Sequence, residues 1–303
     1  MAEILLWIGD WLANTYYFLL APPASLVATL VAGWLGLMIG SFLNVVIHRL
    51  PIMMQRDFDN YCAEERGEAL PHTDHYSLAV PRSACPHCGH KITALENIPL
   101  FSYFILLRGK CSNCKAPISL RYPLIEALSG ILSACVIWHF GSGFAGWAAL
   151  LFIWLCIAMT WIDLDTRLLP DDLTYSLLWL GLLMNTVGTF APLKDAVTGA
   201  AVGYLLLWGV NWLFKLVRKI DGMGGGDFIL LSALAGWFGW MMLPVILLMS
   251  SIVAIMFAVY GMLFLGRDSQ FKIPFGPYLT GAGLIVLFFG KQLLAMLVPG
   301  VVA

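Results

Sequence analysis

Two acidic positions ask for a chemical explanation. Asp163 closes an apolar run, Thr160-Trp-Ile-Asp-Leu-Asp165, and is followed by Leu168-Leu-Pro-Asp171. Asp227 opens another apolar run, after Gly222-Met-Gly-Gly-Gly. A carboxylate at bilayer depth costs roughly 2.5–3.5 kcal/mol on insertion scales, so such residues generally have a function. Asp163 also sits at the C-terminal end of its own helix, an unfavourable place for an anion. Two carboxyls brought together share one proton, because both cannot ionise cheaply. One then takes a proton from water while the other hydrogen-bonds a scissile carbonyl. Such a pair titrates as a unit. The glycines before Asp227 let an irregular backbone and an extended substrate come close to the carboxylate.

Other readings stand beside the protease pair. Acidic residues also relay protons in coupled transporters. A glycine-rich run before a helix binds anions, although no Lys follows here as in a P-loop. Asp171 or Asp172, after Pro170 and before an apolar run, is expected to be an N-cap. Asp165 is expected in a solvated loop.

Four cysteines form the second constellation, Cys85-Pro-His-Cys88 and Cys111-Ser-Asn-Cys114. Four thiolates on two knuckles suit tetrahedral Zn²⁺ and leave no open position, so the site is expected to be structural. The spacer, residues 89–110, is slightly longer than the usual roughly 15–20 residues. The surrounding polar region has few apolar residues for a core, and metal binding supplies the missing folding energy. Disulfide pairing is the alternative, but paired CxxC motifs favour metal and a reducing compartment. His87 and His90 are expected to be exposed loop residues.

The elements that position these groups are membrane helices. The chain has 303 residues, 60% hydrophobic and 12% charged, against roughly 25% charged in a soluble domain. A net charge of −1 gives no reason to expect nucleic acid. Apolar runs repeatedly reach the ~20 residues that cross a bilayer. Spans are expected near 25–47, 123–140, 145–162, 173–190, 195–214, 227–241, 243–265 and 277–298, with an interfacial helix over 4–20. Glu3 and Asp10 replace the cationic start of a secretory signal, so the first helices are expected to be retained. If the polar region 48–122 is cytoplasmic, 15 of the 17 Lys and Arg fall inside, leaving Lys194 and Lys291. The charge bias thus agrees with the span count.

The expected fold is an all-α membrane protein, a polytopic bundle of about eight transmembrane helices with a cytoplasmic four-cysteine zinc-binding insertion. Three parts are expected: 1–47, an interfacial segment and first span; 48–122, the zinc-binding domain; and 123–303, a membrane aspartic protease domain. Gly33, Gly36 and Gly40 are expected to let the first span pack closely. Asn44 and His48 lie one turn apart and are read as inter-helix hydrogen-bonding residues. Glu126, opening a span, is either a paired structural acid or a contact for substrate or methyl donor.

The ordered motifs resemble the bacterial type IV prepilin peptidases, also called leader peptidase/N-methyltransferases, within the GxGD aspartic proteases. The resemblance runs through Gly40-Ser-Phe-Leu-Asn-Val-Val-Ile-His-Arg-Leu-Pro51, the two CxxC pairs, Asn97-Ile-Pro99, Arg108-Gly-Lys-Cys111 and Arg121-Tyr-Pro-Leu-Ile-Glu126. It continues through Asp163, Pro170-Asp171, Gly224-Gly-Gly-Asp227 and Pro274-Phe-Gly-Pro-Tyr278. It implies Asp163 and Asp227 as the catalytic dyad. It also implies cleavage of the basic leader of prepilins and pseudopilins at the cytoplasmic face of the inner membrane. Methylation of the new α-amine by S-adenosylmethionine would follow. No methyltransferase glycine fingerprint is visible, so methyl transfer rests on the resemblance. A peptidase without methyl transfer and a proton-coupled transporter are the alternatives. The family usually carries Lys two residues after the second aspartate, where this chain has Ile229. Arg167 and Lys219 are the candidate replacements.

Overall fold

The computed structural model describes residues 26–220, 222–266 and 274–297. The interfacial helix expected over 4–20 lies outside them, as do Arg267 and Lys272. Among the described residues there are eight long helices and no strands. They are α1 Leu26–Glu65, α2 Arg121–Phe140, α3 Phe144–Thr166, α4 Asp171–Asn185, α5 Leu193–Arg218, α6 Gly225–Phe238, α7 Leu243–Leu265 and α8 Gly276–Leu297. Six of these are long and apolar enough to cross a membrane, so the chain is a multi-pass membrane protein. The other two, α4 and α6, have 15 and 14 residues, about 21–23 Å of helix against a hydrocarbon core of about 30 Å. The runs expected to reach residues 190 and 241 stop early at turns whose glycines, Gly188 and Gly239, take φ of 69° and 83°.

Contacts divide the chain into two compact units, with Leu30–Ala134 in one and Cys135 onward in the other. In the first, α1 continues without a break through Pro51. Its 40 residues make about 60 Å of helix, so the polar end outruns a bilayer. Residues 66–80 fold back along that end. Arg49 donates to the Ser77 carbonyl at 2.9 Å. Arg56 pairs with Asp74 at 2.8 Å and lies 4.3 Å from the Tyr76 ring centroid. Asn60 and His72 exchange two hydrogen bonds, the Asn60 amide donating at 2.9 Å and the His72 N–H at 3.1 Å. The apolar end of α1 packs on α2 through the expected glycines. A Cβ on Gly36 would strike Ser133, and one on Gly40 would lie 2.8 Å from the Glu126 Cα. Asn44 donates to the Tyr122 carbonyl at 3.2 Å, whereas His48 faces outward.

The second unit is built around α6, whose Leu230, Leu231, Leu234 and Trp237 are fully buried. Neighbours approach α6 where they lack side chains. A Cβ on Gly181 would strike the Trp237 ring, and one on Gly199 would lie 2.8 Å from the Ala235 carbonyl. Where apolar contact alone gives no register, buried polar groups supply it. Asn185 donates to the carbonyls of Gly236 and Trp237 at 2.9 and 2.8 Å. Its oxygen accepts from the N–H groups of Phe190 and Ala191. Trp237 Nε1 donates to the Leu177 carbonyl at 2.7 Å, and Ser232 Oγ to that of Ala200 at 2.8 Å. These bonds fix α4, α5 and the C-terminal half of α6 against one another.

Candidate active site and metal centre

Asp163 lies in the last turn of α3, buried to 4% exposure. Arg167 ends that helix in the left-handed region, its N–H returning to the Asp163 carbonyl. The carboxylate does not face water. Its Oδ2 accepts the N–H of Gly276, the first residue of α8, at 2.9 Å. That N–H is one of the donors a helix start leaves unsatisfied, and an anion there also meets the favourable end of the dipole. One turn back, the Thr160 and Thr280 hydroxyls meet at 2.7 Å. Two polar ties therefore pin α3 to α8.

Asp227 sits in the first turn of α6, after Gly224 at the N-cap, with its N–H on the Gly224 carbonyl at 3.3 Å. Asp227 is half-buried. Leu169, in the link between α3 and α4, touches the approach to both acids. A Cβ on Gly226 would lie 2.7 Å from the Leu169 Cβ, and one on Gly276 would lie 3.2 Å from its Cδ2. The loop leading to Asp227 is held by Asn211 of α5, whose Oδ1 accepts the N–H groups of Gly222 and Met223 at 3.0 and 3.1 Å.

The other acids separate from this pair. Asp165 belongs to the last turn of α3 and is exposed, within the helix and not in a loop. Asp171 and Asp172 are not N-caps. Pro170 takes that position in an extended conformation, and both acids fall in the first turn with no side-chain cap bond. Pro is favourable where the helix begins because its missing N–H costs nothing, and the acids complement the dipole from inside the helix. Ile229 is half-buried, while Arg167 and Lys219 are exposed. Gly276 was quoted only as part of the Pro274–Tyr278 motif, with no role given, and Thr160, Thr280, Leu169 and Asn211 were not singled out by sequence reasoning. The available signals were a glycine between Phe275 and Pro277 ahead of an apolar run, and polar residues inside apolar helices.

The four cysteines converge, their Sγ atoms all within 4.8 Å of one another. Cys85 and Cys114 are 3.8 Å apart, Cys88 and Cys111 4.0 Å. A tetrahedron with metal–sulfur bonds of ~2.3 Å has edges of about 3.8 Å, so the cluster fits one ion. None of the four is in a disulfide. The two knuckles repeat one backbone pattern. The first Cys N–H bonds the carbonyl of His90 or Ala116, and the N–H of Gly89 or Lys115 returns to the first Cys carbonyl. Gly89 and Lys115 both take positive φ, 69° and 61°. His87 is exposed as expected. His90 is half-buried, its Nε2 lying 3.3 Å from Glu96. Glu96 is pulled down to about 2 by hydrogen bonds from Ser112 and Thr93, so this carboxylate braces the second knuckle.

Glu126 is buried on α2 and accepts the Leu100 N–H at 2.9 Å. It ties the segment between the knuckles to a spanning helix.

The comparisons with known proteins agree with this arrangement. Residues 34–140 match the bacterial peptidase A24 N-terminal domain, and residues 150–259 match the type IV leader peptidase family. A prepilin leader peptidase/N-methyltransferase of Stutzerimonas stutzeri is 52% identical over 279 residues, covering 92% of this chain and 96% of that protein. A namesake from Aeromonas hydrophila is 53% identical over 264 residues, covering 85% and 89%. One from Pseudomonas aeruginosa is 50% identical over 273 residues, covering 90% and 93%. No solved structure matches significantly. With half its residues shared along nearly its whole length, this chain belongs to the type IV leader peptidase family.

Proposed function

We propose that this chain is a prepilin leader peptidase and N-methyltransferase, with Asp163 and Asp227 as its aspartyl dyad. The observation that carries the reading is the burial of Asp163 on the start of α8, with Leu169 packed against both Gly276 beside it and Gly226 beside Asp227. The pair holds one proton between its carboxyls. The ionised member takes a proton from water, and the protonated member hydrogen-bonds the scissile carbonyl of the leader. The glycine run before Asp227 leaves room for an extended substrate. Gly276 positions Asp163 through its N–H on the carboxylate, and Asn211 positions Asp227 through the loop before it.

The methylation half belongs to the enzyme's class, with S-adenosylmethionine as the methyl donor for the new α-amine. Zn²⁺ on Cys85, Cys88, Cys111 and Cys114 would supply folding energy and no reaction step. Residues 48–122 form the zinc-binding part and 123–303 the protease part, with the zinc-binding region and dyad at the cytoplasmic face of the inner membrane. With α4 and α6 crossing alongside the six longer helices, 15 of 17 Lys and Arg fall on that side, as the positive-inside bias requires. The substrates are prepilins or pseudopilins, and lipid covers the apolar faces of the spans.

The test uses purified enzyme in lipid nanodiscs, a prepilin and isotopically labelled S-adenosylmethionine. Mass spectrometry is expected to find a mature pilin shortened by its leader and carrying one labelled methyl group. An intact prepilin contradicts the peptidase. A cleaved but unlabelled product contradicts the methyl transfer alone.

A further inference from the structure

The segment between the cysteine pairs differs from its surroundings. Residues 98–107 read Ile-Pro-Leu-Phe-Ser-Tyr-Phe-Ile-Leu-Leu, an apolar run inside the polar region. They fold into a short π turn, Ser102–Leu106. Phe101, Phe104, Ile105 and Leu106 are 45%, 61%, 59% and 50% exposed. Four large apolar side chains exposed within six residues mark an interaction surface.

The attachments of this run say what covers it. Leu100 donates its N–H to Glu126 on α2, and the Ser41 hydroxyl of α1 lies 3.4 Å from Asn97 Oδ1. Both anchors lie in the apolar, mutually packed parts of spanning helices, where Gly40 meets Glu126. Glu126 follows Arg121 by five residues, about 7.5 Å along the axis of α2. The headgroup zone is about 5–8 Å deep on each side of the hydrocarbon. With Arg121 among headgroups, Leu100 lies at the hydrocarbon edge. The run then returns to charge at once, through Arg108 and Lys110. Tyr103 donates to the Ile118 carbonyl at 3.1 Å, fastening the turn to the second knuckle.

We propose that residues 98–107 are a membrane-inserted hairpin. Phe101, Phe104, Ile105 and Leu106 are covered by acyl chains of the surrounding bilayer. Arg108 and Lys110 meet the phosphates of anionic headgroups. The cysteine cluster is then docked on the leaflet through this hairpin and is not a free soluble domain. The proposal needs the chain to span a membrane and is independent of what the aspartates do.

The test uses full-length protein in nanodiscs of phosphatidylcholine and phosphatidylglycerol. 4-Trifluoromethylphenylalanine replaces Phe104 in one sample. In a second it replaces Tyr61, which is 60% exposed on the polar end of α1. Fluorine line broadening is read with spin-labelled lipid and, separately, with an aqueous gadolinium chelate. At position 104 the lipid label is expected to broaden the line and the chelate to spare it, with the reverse at position 61. Broadening of position 104 by the chelate alone means that the face is in water and overturns the proposal. Insensitivity to both reagents means that protein covers the face, and overturns it equally.

Discussion

Gly276 donates its backbone N–H to Asp163 Oδ2 at 2.9 Å, so the carboxylate that ends one helix begins another. The contact has no room for a side chain. A Cβ on Gly276 would lie 2.6 Å from that same oxygen. Gly276→Ala is therefore expected to push the Asp163 carboxylate out of place. A displacement near 1 Å at a reacting group costs up to about 100-fold in rate. Prepilin cleavage should fall at least tenfold while the protein remains monodisperse on size exclusion in detergent. Unchanged kcat would mean that this bond does not position the acid.

Asn211 holds the other side of the pair at a distance. Its single oxygen takes two N–H groups of the loop before Asp227. At about 1 kcal/mol per net hydrogen bond, Asn211→Ala should slow cleavage by up to roughly 30-fold. Asn211→Asp keeps an acceptor in place and should recover most of the rate. Equal losses in both variants would point to packing, not to the acceptor.

The cysteine cluster makes a stoichiometric prediction. Elemental analysis of the purified chain should find about one zinc per protein, the capacity of one four-thiolate site. Cys111→Ser should release it. Metal binding supplies folding energy of roughly 10–16 kcal/mol in small structural sites, so the region between residues 66 and 120 should become sensitive to protease. A folded, protease-resistant region without metal would contradict a structural role.

The parts of this molecule legible in its sequence were those with a periodic or compositional signature. The helices appeared as apolar runs, and the glycines of α1 predicted close packing, for which the structure supplies α2 as the partner. The four cysteines were readable because metal chemistry fixes their spacing. Asp163 and Asp227 stood out because acids are costly in apolar helices. Their supports did not stand out. Gly276 matters through one backbone N–H, and no residue type announces which donor a carboxylate will choose. Asn211 and Asn185 act on loops and helix ends remote in sequence. The N-cap expected at Asp171 or Asp172 went to Pro170 because local preference is one-sided: both residue types suit a helix start, and the chain uses each in a different position. The short lengths of α4 and α6 follow from glycine turns that hydropathy smooths over.

The central claim is that Asp163 and Asp227 work as one group. It is tested most directly by prepilin cleavage with Asp163→Asn, Asp227→Asn and the double variant, each folded and reconstituted in lipid. Proton transfer by a positioned carboxyl is worth about 100- to 10,000-fold, and members of one catalytic unit are strongly non-additive. Each single variant should lose at least about 100-fold in kcat, and the double variant should be little worse than either. A single variant that keeps full activity, or losses that simply multiply in the double variant, would contradict the dyad.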